Sequence, residues 1–178
     1  YTATASIIAG EEVTDEVTVT YGYRSFHVNP DNGFHLNGKS LPLHGVARHQ
    51  DRLDKGWAIS KADHEEDIAL IKELGANTIR LAHYQHDQYF YDLCDKYGFV
   101  VWAEIPYISE HMPAGRENTI SQMTELIVQN YNHPSICVWG ISNEITISTK
   151  DKKDMMDNHR VLNDLVHELD PSRLTTLA

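Results

Sequence analysis

Polar side chains that can do chemistry gather at four places, each directly after a short apolar run. The clusters are Arg48-His49-Gln50-Asp51, His83-Tyr84-Gln85-His86, Glu104 with Glu110-His111 further on, and Ser142-Asn143-Glu144. Carboxyl, imidazole and amide groups together suit proton transfer and recognition of hydroxyl groups. Because parallel strands present catalytic groups at their carboxyl ends, this placement predicts one shared site.

Glu144 is the first candidate for catalysis. It follows the apolar run 136–139 and a tight Gly-Ile-Ser step, where partial loss of solvent favours the protonated carboxyl that a general acid needs. The alternative interpretation is a carboxylate that caps a helix. Its neighbour Asn143 can donate to a substrate hydroxyl, or it can shape the loop as an Asx-turn residue.

His49 and His83 can be substrate-binding or hydrogen-bonded structural residues, and imidazole also binds zinc. No His-x-His or His-x-x-x-His spacing accompanies them, so we predict no zinc site. Glu104, Glu110 and His111 can hold a divalent cation through their oxygens and ring nitrogens, although solvated loop residues are the favoured interpretation of the adjacent pair. The sequence therefore assigns no metal.

Trp57, Trp102 and Trp139 can stack on the face of a sugar ring. Trp102 and Trp139 end apolar runs, so packing in the core explains them equally well. The mixed-charge run at 151–154 predicts a solvated helix face.

Composition narrows the class of partner. The 178 residues carry 15 Lys and Arg against 26 Asp and Glu, a formal charge of −11, so we expect neither nucleic acid nor a membrane surface as partner. A neutral carbohydrate fits better. Cys94 and Cys137 lie in predicted buried elements, which indicates reduced thiols. The localisation is left open, with the cytoplasm favoured over secretion.

The elements that position these residues change character along the chain. Residues 1–28 alternate with period two, which predicts strands, and from residue 43 four strand–helix units follow one another, with a fifth strand starting at 174. Ser60 and Asp87 predict helix starts. Short apolar strands are typical of a parallel sheet covered on both faces, so a doubly wound sheet and half of a (β/α)₈ barrel both fit. No Gly-rich loop follows a strand, which argues against a nucleotide site.

Residues 132–144 make the sequence recognisable. They read Asn-His-Pro-Ser-Ile-Cys-Val-Trp-Gly-Ile-Ser-Asn-Glu and resemble the acid/base signature of glycoside hydrolase family 2, which includes β-galactosidases, β-glucuronidases and β-mannosidases. The stretches that also resemble this family, in order, are 21–26, 45–49, 75–84 and 93–106. The resemblance implies an α/β fold in two parts. Residues 1–28 would be the last strands of an immunoglobulin-like β-sandwich, and residues 29–178 the first half of a TIM (β/α)₈ barrel.

The resemblance also implies roles for single residues. Glu144 would be the acid/base, Asn143 would bind the sugar 2-hydroxyl, and His49 and His83 would contact the hydroxyls of a galactosyl unit. The magnesium site known in the family uses a Glu-x-His arrangement. Here Glu and His are adjacent at 110–111, so magnesium is not assigned.

We therefore expect a retaining β-glycosidase, most like a β-galactosidase that hydrolyses terminal β-galactosides, as part of a longer, oligomeric chain. The family's glutamate nucleophile ends the seventh barrel strand, beyond these residues, so we expect this chain alone to be inactive. The alternative enzyme is a β-glucuronidase, for which no distinctive basic set is evident, whereas the stretch 48–52 favours a galactosidase. The alternative outside the enzymes is a non-catalytic carbohydrate-binding or structural fragment.

Overall fold

A computed structural model describes all residues from Tyr1 to Ala178. Ten strands and four α-helices follow one another along the chain. They are β1 Thr2–Ala9, β2 Glu12–Thr20, β3 Phe26–Asn29, β4 Gly33–Leu36, β5 Lys39–Ser40, β6 Gly45–Arg48, α1 Lys61–Glu73, β7 Thr78–Leu81, α2 Gln88–Tyr97, β8 Val100–Glu104, α3 Arg116–Asn130, β9 Ile136–Gly140, α4 Lys152–Leu169 and β10 Leu174–Thr176.

Strands β6 to β10 form one parallel sheet in the order β10-β9-β8-β7-β6. The spatial order therefore follows the chain order without a reversal. A doubly wound sheet reverses its strand order at a switch point. A monotonic order with a helix after each strand is instead that of a (β/α)₈ barrel, so the predicted half barrel is confirmed.

Local sequence explains the helix boundaries. Ser60 caps α1 in a reciprocal box, because its side chain accepts from the Asp63 N–H while the Asp63 carboxylate accepts from the Ser60 N–H at 2.7 Å. Asp87 caps α2 by accepting from the Tyr89 N–H at 2.8 Å, and Gly98 ends this helix with a φ of 74°. Helix α3 begins at Arg116, directly after a short 3₁₀ turn at Pro113–Gly115.

The main core lies between the sheet and the helices. Each helix buries an apolar stripe there, from Ile68 and Ile71 of α1, Phe90 and Cys94 of α2, Met123 and Leu126 of α3, and Leu162 and Val166 of α4. Cys94 and Cys137 are buried and unpaired, as predicted, and burial raises the pKa of both thiols. None of the helices combines the length and apolar character that a membrane span requires.

A three-stranded antiparallel sheet, β3-β4-β5, covers the amino end of the parallel sheet. Phe34 packs there against Val100 and Cys137. Beside this contact lies an apolar cavity of about 530 Å³, lined by Leu41, Val138 and neighbours from both sheets.

The amino-terminal part differs from expectation at one point. Residues 21–25 form no strand, and Arg24 within them donates to the carbonyls of Pro134 and Ile136 at 3.1 and 3.0 Å, which ties this stretch to the barrel half. Strand β3 begins only at Phe26 and crosses the predicted domain boundary at 28. Before it, β1 and β2 form an antiparallel hairpin that is exposed along its whole length. The assignment of residues 1–28 to a sandwich domain stays a prediction.

Candidate active site

The four polar clusters meet at one edge of the parallel sheet. His49 follows β6, His83 follows β7, Glu104 ends β8, and Asn143 with Glu144 follows β9. These strands are neighbours and all run the same way, so their carboxyl ends lie side by side. The sequence prediction of a shared site at this edge agrees with the observed arrangement.

Glu104 is the centre of a hydrogen-bonded network. Its side chain is fully buried and accepts two hydrogen bonds of 3.0 Å from the guanidinium of Arg80. It also accepts from Nδ1 of His83 at 2.8 Å. The same guanidinium donates to Oδ1 of Asn143 at 2.5 Å. This contact fixes the amide orientation of Asn143 and leaves its NH₂ group as the donor for a ligand.

This network has a consequence for a metal at Glu104. Its oxygens are committed to Arg80 and His83, so a divalent cation there would have to displace an ion pair. Arg80 is not among the residues that the sequence pattern singles out. The available signal was a lone cation inside a short buried strand, where a charge needs a partner.

Gly140 makes room for this network. A Cβ at this position would lie 2.4 Å from Nε1 of Trp102 and 2.5 Å from Cβ of Glu104. The guanidinium of Arg80 in turn lies over the Trp102 ring, 4.5 Å from its centroid. The side chains of Trp102 and Glu104 therefore pack directly against Gly140, the one residue of β9 that has no side chain.

Glu144 presents an exposed side chain, not the partly desolvated one that the sequence predicts, from a left-handed backbone with a φ of 46°. A non-glycine residue holds this conformation only where its surroundings fix it. The helix-cap interpretation is wrong, because α4 begins at Lys152 and is capped by Asp151. Glu144 is thus free for a ligand while its main chain is constrained.

Backbone hydrogen bonds clamp the turn that carries Glu144. The Asn143 N–H donates to the Tyr107 carbonyl at 2.9 Å, and the Ser109 N–H donates to the Asn143 carbonyl at 3.1 Å. Ser142 is fully buried, and its hydroxyl lies 2.9 Å from Nε2 of His159 on α4. The loop after β8 and helix α4 therefore hold the acid/base candidate from two sides.

Two expectations about charged residues near this turn hold only in part. His111 is buried rather than solvated, since it donates to Asp154 at 2.7 Å and accepts from the Tyr107 hydroxyl at 2.5 Å. The run 151–154 is solvated at 151–153, as predicted, whereas Asp154 is half-buried and also pairs with Arg116. The hydrogen bond from His111, together with Arg116, lowers the pKa of Asp154 despite an opposing effect of desolvation. The ring of His111 is therefore committed to hydrogen bonds within the fold, whereas Glu110 beside it is exposed.

His49 lies at the outer end of the site. Its exposed ring meets the His83 ring edge to face, with centroids 5.0 Å apart. The preceding Arg48 is buried and donates to Asp67 and to Nδ1 of both His64 and His86.

Both of those imidazoles accept from Arg48, so both are neutral. Nε2 of His86 then donates to the Ala82 carbonyl at 3.1 Å. Burial lowers the pKa of His86 to about 3, and burial also lowers the pKa of His64. This buried cluster fixes the chain just before His49 and just before His83.

The family model of the glycosyl hydrolase family 2 TIM barrel domain matches residues 27–178. The chain belongs to glycosyl hydrolase family 2. The resemblance carried by residues 132–144 is thereby confirmed, as is the barrel fold. The roles of Glu144, Asn143, His49 and His83 remain predictions.

Known members of glycosyl hydrolase family 2 resemble this chain over nearly its whole length. A β-glucuronidase of Bacteroides fragilis is 46% identical, over 100% of this chain and 26% of that protein. A β-galactosidase of Thermoanaerobacterium thermosulfurigenes is 34% identical, over 91% of this chain and 22% of that protein. The crystal structure of an FMN-binding β-glucuronidase from Facaelibacterium prausnitzii L2-6 superposes with a TM-score of 0.95 at 53% identity, covering 99% of this chain and 28% of that chain. This family 2 chain spans about a quarter of the length of these relatives.

Proposed function

We propose that residues 1–178 carry the acid/base half of a retaining β-glycosidase whose substrates are β-glucuronides. The observation that carries the proposal is the Asn143-Glu144 pair at the end of β9. Asn143 is locked by Arg80, and Glu144 is exposed on a clamped, left-handed turn. A carboxyl group held beside a fixed amide donor suits protonation of a glycosidic oxygen while a neighbouring hydroxyl is bound.

In this mechanism Glu144 protonates the oxygen of the leaving group as the glycosidic bond breaks. A second carboxylate attacks the anomeric carbon and forms the glycosyl-enzyme, and Glu144 then takes a proton from the water that releases the sugar. Retaining pairs lie about 5 Å apart. Glu104 does not suit the role of nucleophile, because Arg80 and His83 hold its two oxygens. We place the nucleophile outside residues 1–178, which accords with the fraction of the relatives that the chain spans.

The substrate assignment differs from the expectation of a β-galactosidase. It rests on the higher identity to proteins named β-glucuronidase, 46% against 34% for the β-galactosidase described above. Arg48 and Arg80 are already paired with Asp67 and Glu104, so we do not assign either of them to the sugar carboxylate. A β-galactoside is the second candidate, because relatives with that name match 91% of the chain.

The test uses the full-length protein and its Glu144→Gln variant. For the parent we expect a higher kcat/KM on 4-nitrophenyl β-glucuronide than on 4-nitrophenyl β-galactoside, and retention of configuration in the product. For the variant we expect a loss of about 10²- to 10⁴-fold on alkyl β-glucuronides and a much smaller loss on activated aryl ones. The exposed Glu110→Gln serves as control. Equal losses on both leaving groups would remove Glu144 from the acid/base role, and a preference for the galactoside would move the substrate assignment to the second candidate.

A further inference from the structure

Three polar side chains form a row that joins helix α4 to the loop after β8. The carboxylate of Asp154 accepts from Nε2 of His111 at 2.7 Å, and Nδ1 of His111 accepts from the Tyr107 hydroxyl at 2.5 Å. Both rings are buried, with only 6% of Tyr107 and 5% of His111 exposed. The mechanism described above assigns no role to any residue of this row.

The carboxylate of Asp154 anchors the row with both of its oxygens. Oδ2 accepts from His111, and Oδ1 accepts from the guanidinium of Arg116 at the start of α3. A carboxylate acceptor at Nε2 places the imidazole proton there and leaves Nδ1 as an acceptor. Burial raises the pKa of Tyr107, so its hydroxyl stays protonated and donates to Nδ1. Each hydrogen bond of the row therefore sets the direction of the next.

The main chain of Tyr107 links the row to the turn that carries Glu144. The Tyr107 carbonyl accepts from the Asn143 N–H at 2.9 Å. Two residues further along the same loop, the Ser109 N–H donates to the Asn143 carbonyl at 3.1 Å. A shift of Tyr107 would therefore move the residue that directly precedes Glu144.

The main chain of His111 links the row to the other side of this turn. Its N–H donates to the Thr149 hydroxyl at 2.7 Å, and that hydroxyl donates to the carbonyl of Ile145. Ile145 directly follows Glu144 in the sequence. The row thus holds the loop that contacts both chain neighbours of the acid/base candidate, although none of its side chains contacts Glu144 itself.

We propose that Tyr107, His111 and Asp154 are positioning residues, which set the direction in which the Glu144 carboxyl meets the oxygen of the leaving group. This inference rests on the proposed function. A general acid must lie within about 2.6–3.2 Å of the atom that it protonates, so a small displacement slows proton transfer. A leaving group that departs without protonation does not need this alignment. Interrupting the row should therefore slow the cleavage of poor leaving groups alone.

Two variants of the full-length protein interrupt the row in different ways. Tyr107→Phe removes the hydroxyl and keeps the ring and the main-chain carbonyl. Asp154→Asn leaves one acceptor oxygen where two are in use, so the side chain cannot accept from both His111 and Arg116. Tyr107→Phe is the milder change, and it decides the outcome if Asp154→Asn does not fold.

The control and the reference variant lie outside the row. Asp157→Asn is the matched control, because Asp157 lies on the same helix, is 45% exposed and pairs only with Arg160. Each row variant is also combined with Glu144→Gln. We measure kcat/KM per folded molecule on alkyl and activated aryl β-glycosides of the sugar that the parent prefers, which keeps the test valid for a glucuronide and for a galactoside.

For both row variants we expect a loss of about tenfold on alkyl glycosides and of at most about twofold on activated aryl ones. Added to Glu144→Gln, they should cause no further loss, because no proton donor is left to align. Asp157→Asn should match the parent on both substrate types.

The comparison with Glu144→Gln separates the two ways of failing. Row variants that match Asp157→Asn, lose equally on both substrate types, or lose as much again on the Glu144→Gln background overturn the positioning role. If Glu144→Gln alone shows the dependence on the leaving group, the proposed function stands without this inference. If Glu144→Gln loses equally on both substrate types, the proposed function and the inference fail together.

Discussion

The two ends of the parallel sheet are built in opposite ways. At the amino end, Phe34 packs against Val100 and Cys137 beneath a small antiparallel sheet. At the carboxyl end, Glu104 and Asn143 are as deeply buried, yet both are polar and held by Arg80. Apolar burial stabilises by itself, whereas buried charges are tolerated only as a complete set. The amino end therefore contributes stability, and the carboxyl end supplies a fixed arrangement of hydrogen-bond donors and acceptors.

The largest effect is expected at the polar end, from Glu104→Ala. The change leaves the Arg80 guanidinium partly buried without its carboxylate, removes the acceptor of His83, and loosens the Arg80 side chain that holds Asn143. We expect a loss of about 3–5 kcal/mol in the free energy of unfolding, together with loss of activity in the molecules that remain folded. Urea denaturation of the protein measures the first, and kcat on the folded fraction the second. Glu110→Ala in the next loop is the control, and a stability equal to that control would refute the network.

Phe34→Ala tests the apolar end. Removal of a buried phenylalanine should cost about 3 kcal/mol in the free energy of unfolding, because the ring fills space between the two sheets. Activity per folded molecule should stay within a factor of two of the parent. Val28, on the preceding strand, is 56% exposed, so Val28→Ala is the matched control. A large fall in kcat for Phe34→Ala would show that the two ends are not independent.

Acid should weaken the polar end through His86. Its pKa is lowered from 6.5 to about 3 by burial, with Arg48, His49 and His64 opposing its protonation as well. The unfolded chain therefore binds a proton that the folded chain refuses. This contribution to stability is complete above pH 6.5 and declines by about 1.4 kcal/mol for each pH unit between 6.5 and 3. Denaturation midpoints across this range in parent and His86→Phe give the slope. The slope should be shallower in His86→Phe and unchanged in the exposed control His167→Asn.

The smallest effect is expected from Ser142→Ala. The variant removes the hydrogen bond to His159 beneath the turn of Glu144, at about 1 kcal/mol in the free energy of unfolding. Loosening this turn should lower kcat on alkyl glycosides more than on activated aryl ones, the same pattern as Glu144→Gln but weaker. Ser148→Ala, at an exposed position of the same loop, should show neither change. Uniform losses on both substrate types would assign Ser142 a purely structural role.

Sequence alone predicted that the candidate residues lie at one edge of the sheet, but not which of them contact each other. Caps at Ser60 and Asp87 act through neighbours within three residues, and the alternation of strands and helices places His49, His83 and Glu144 at one edge. These inferences need only local rules and the parallel order of strands. The sequence could not predict which residues of the site hydrogen-bond to each other, because these contacts depend on strand register and on distant segments of the chain.

His111 and Asp154 show this limit. They are 43 positions apart and meet only because the loop after β8 folds onto α4. A charged run and a loop histidine are ordinary surface features when considered singly, which is why both were expected in solvent. The link between Arg80 and Asn143 spans 63 positions and escaped notice for the same reason.

Gly140 has a consequence for how this protein can change over time. Even a methyl group there would displace Trp102 or Glu104. Because Glu104 is hydrogen-bonded to Arg80 and His83, a shift of Glu104 would also move these two side chains and the Asn143 amide that Arg80 holds. A single-nucleotide change to alanine would thus alter several ligand-facing groups at once, and no second substitution at any one of them restores the others. Gly140 is therefore a position of the sheet at which even the smallest added side chain is harmful. A homologue that has acquired a side chain at this position is expected to fold but to be inactive. The residue at position 140 can therefore be used to distinguish active from inactive homologues.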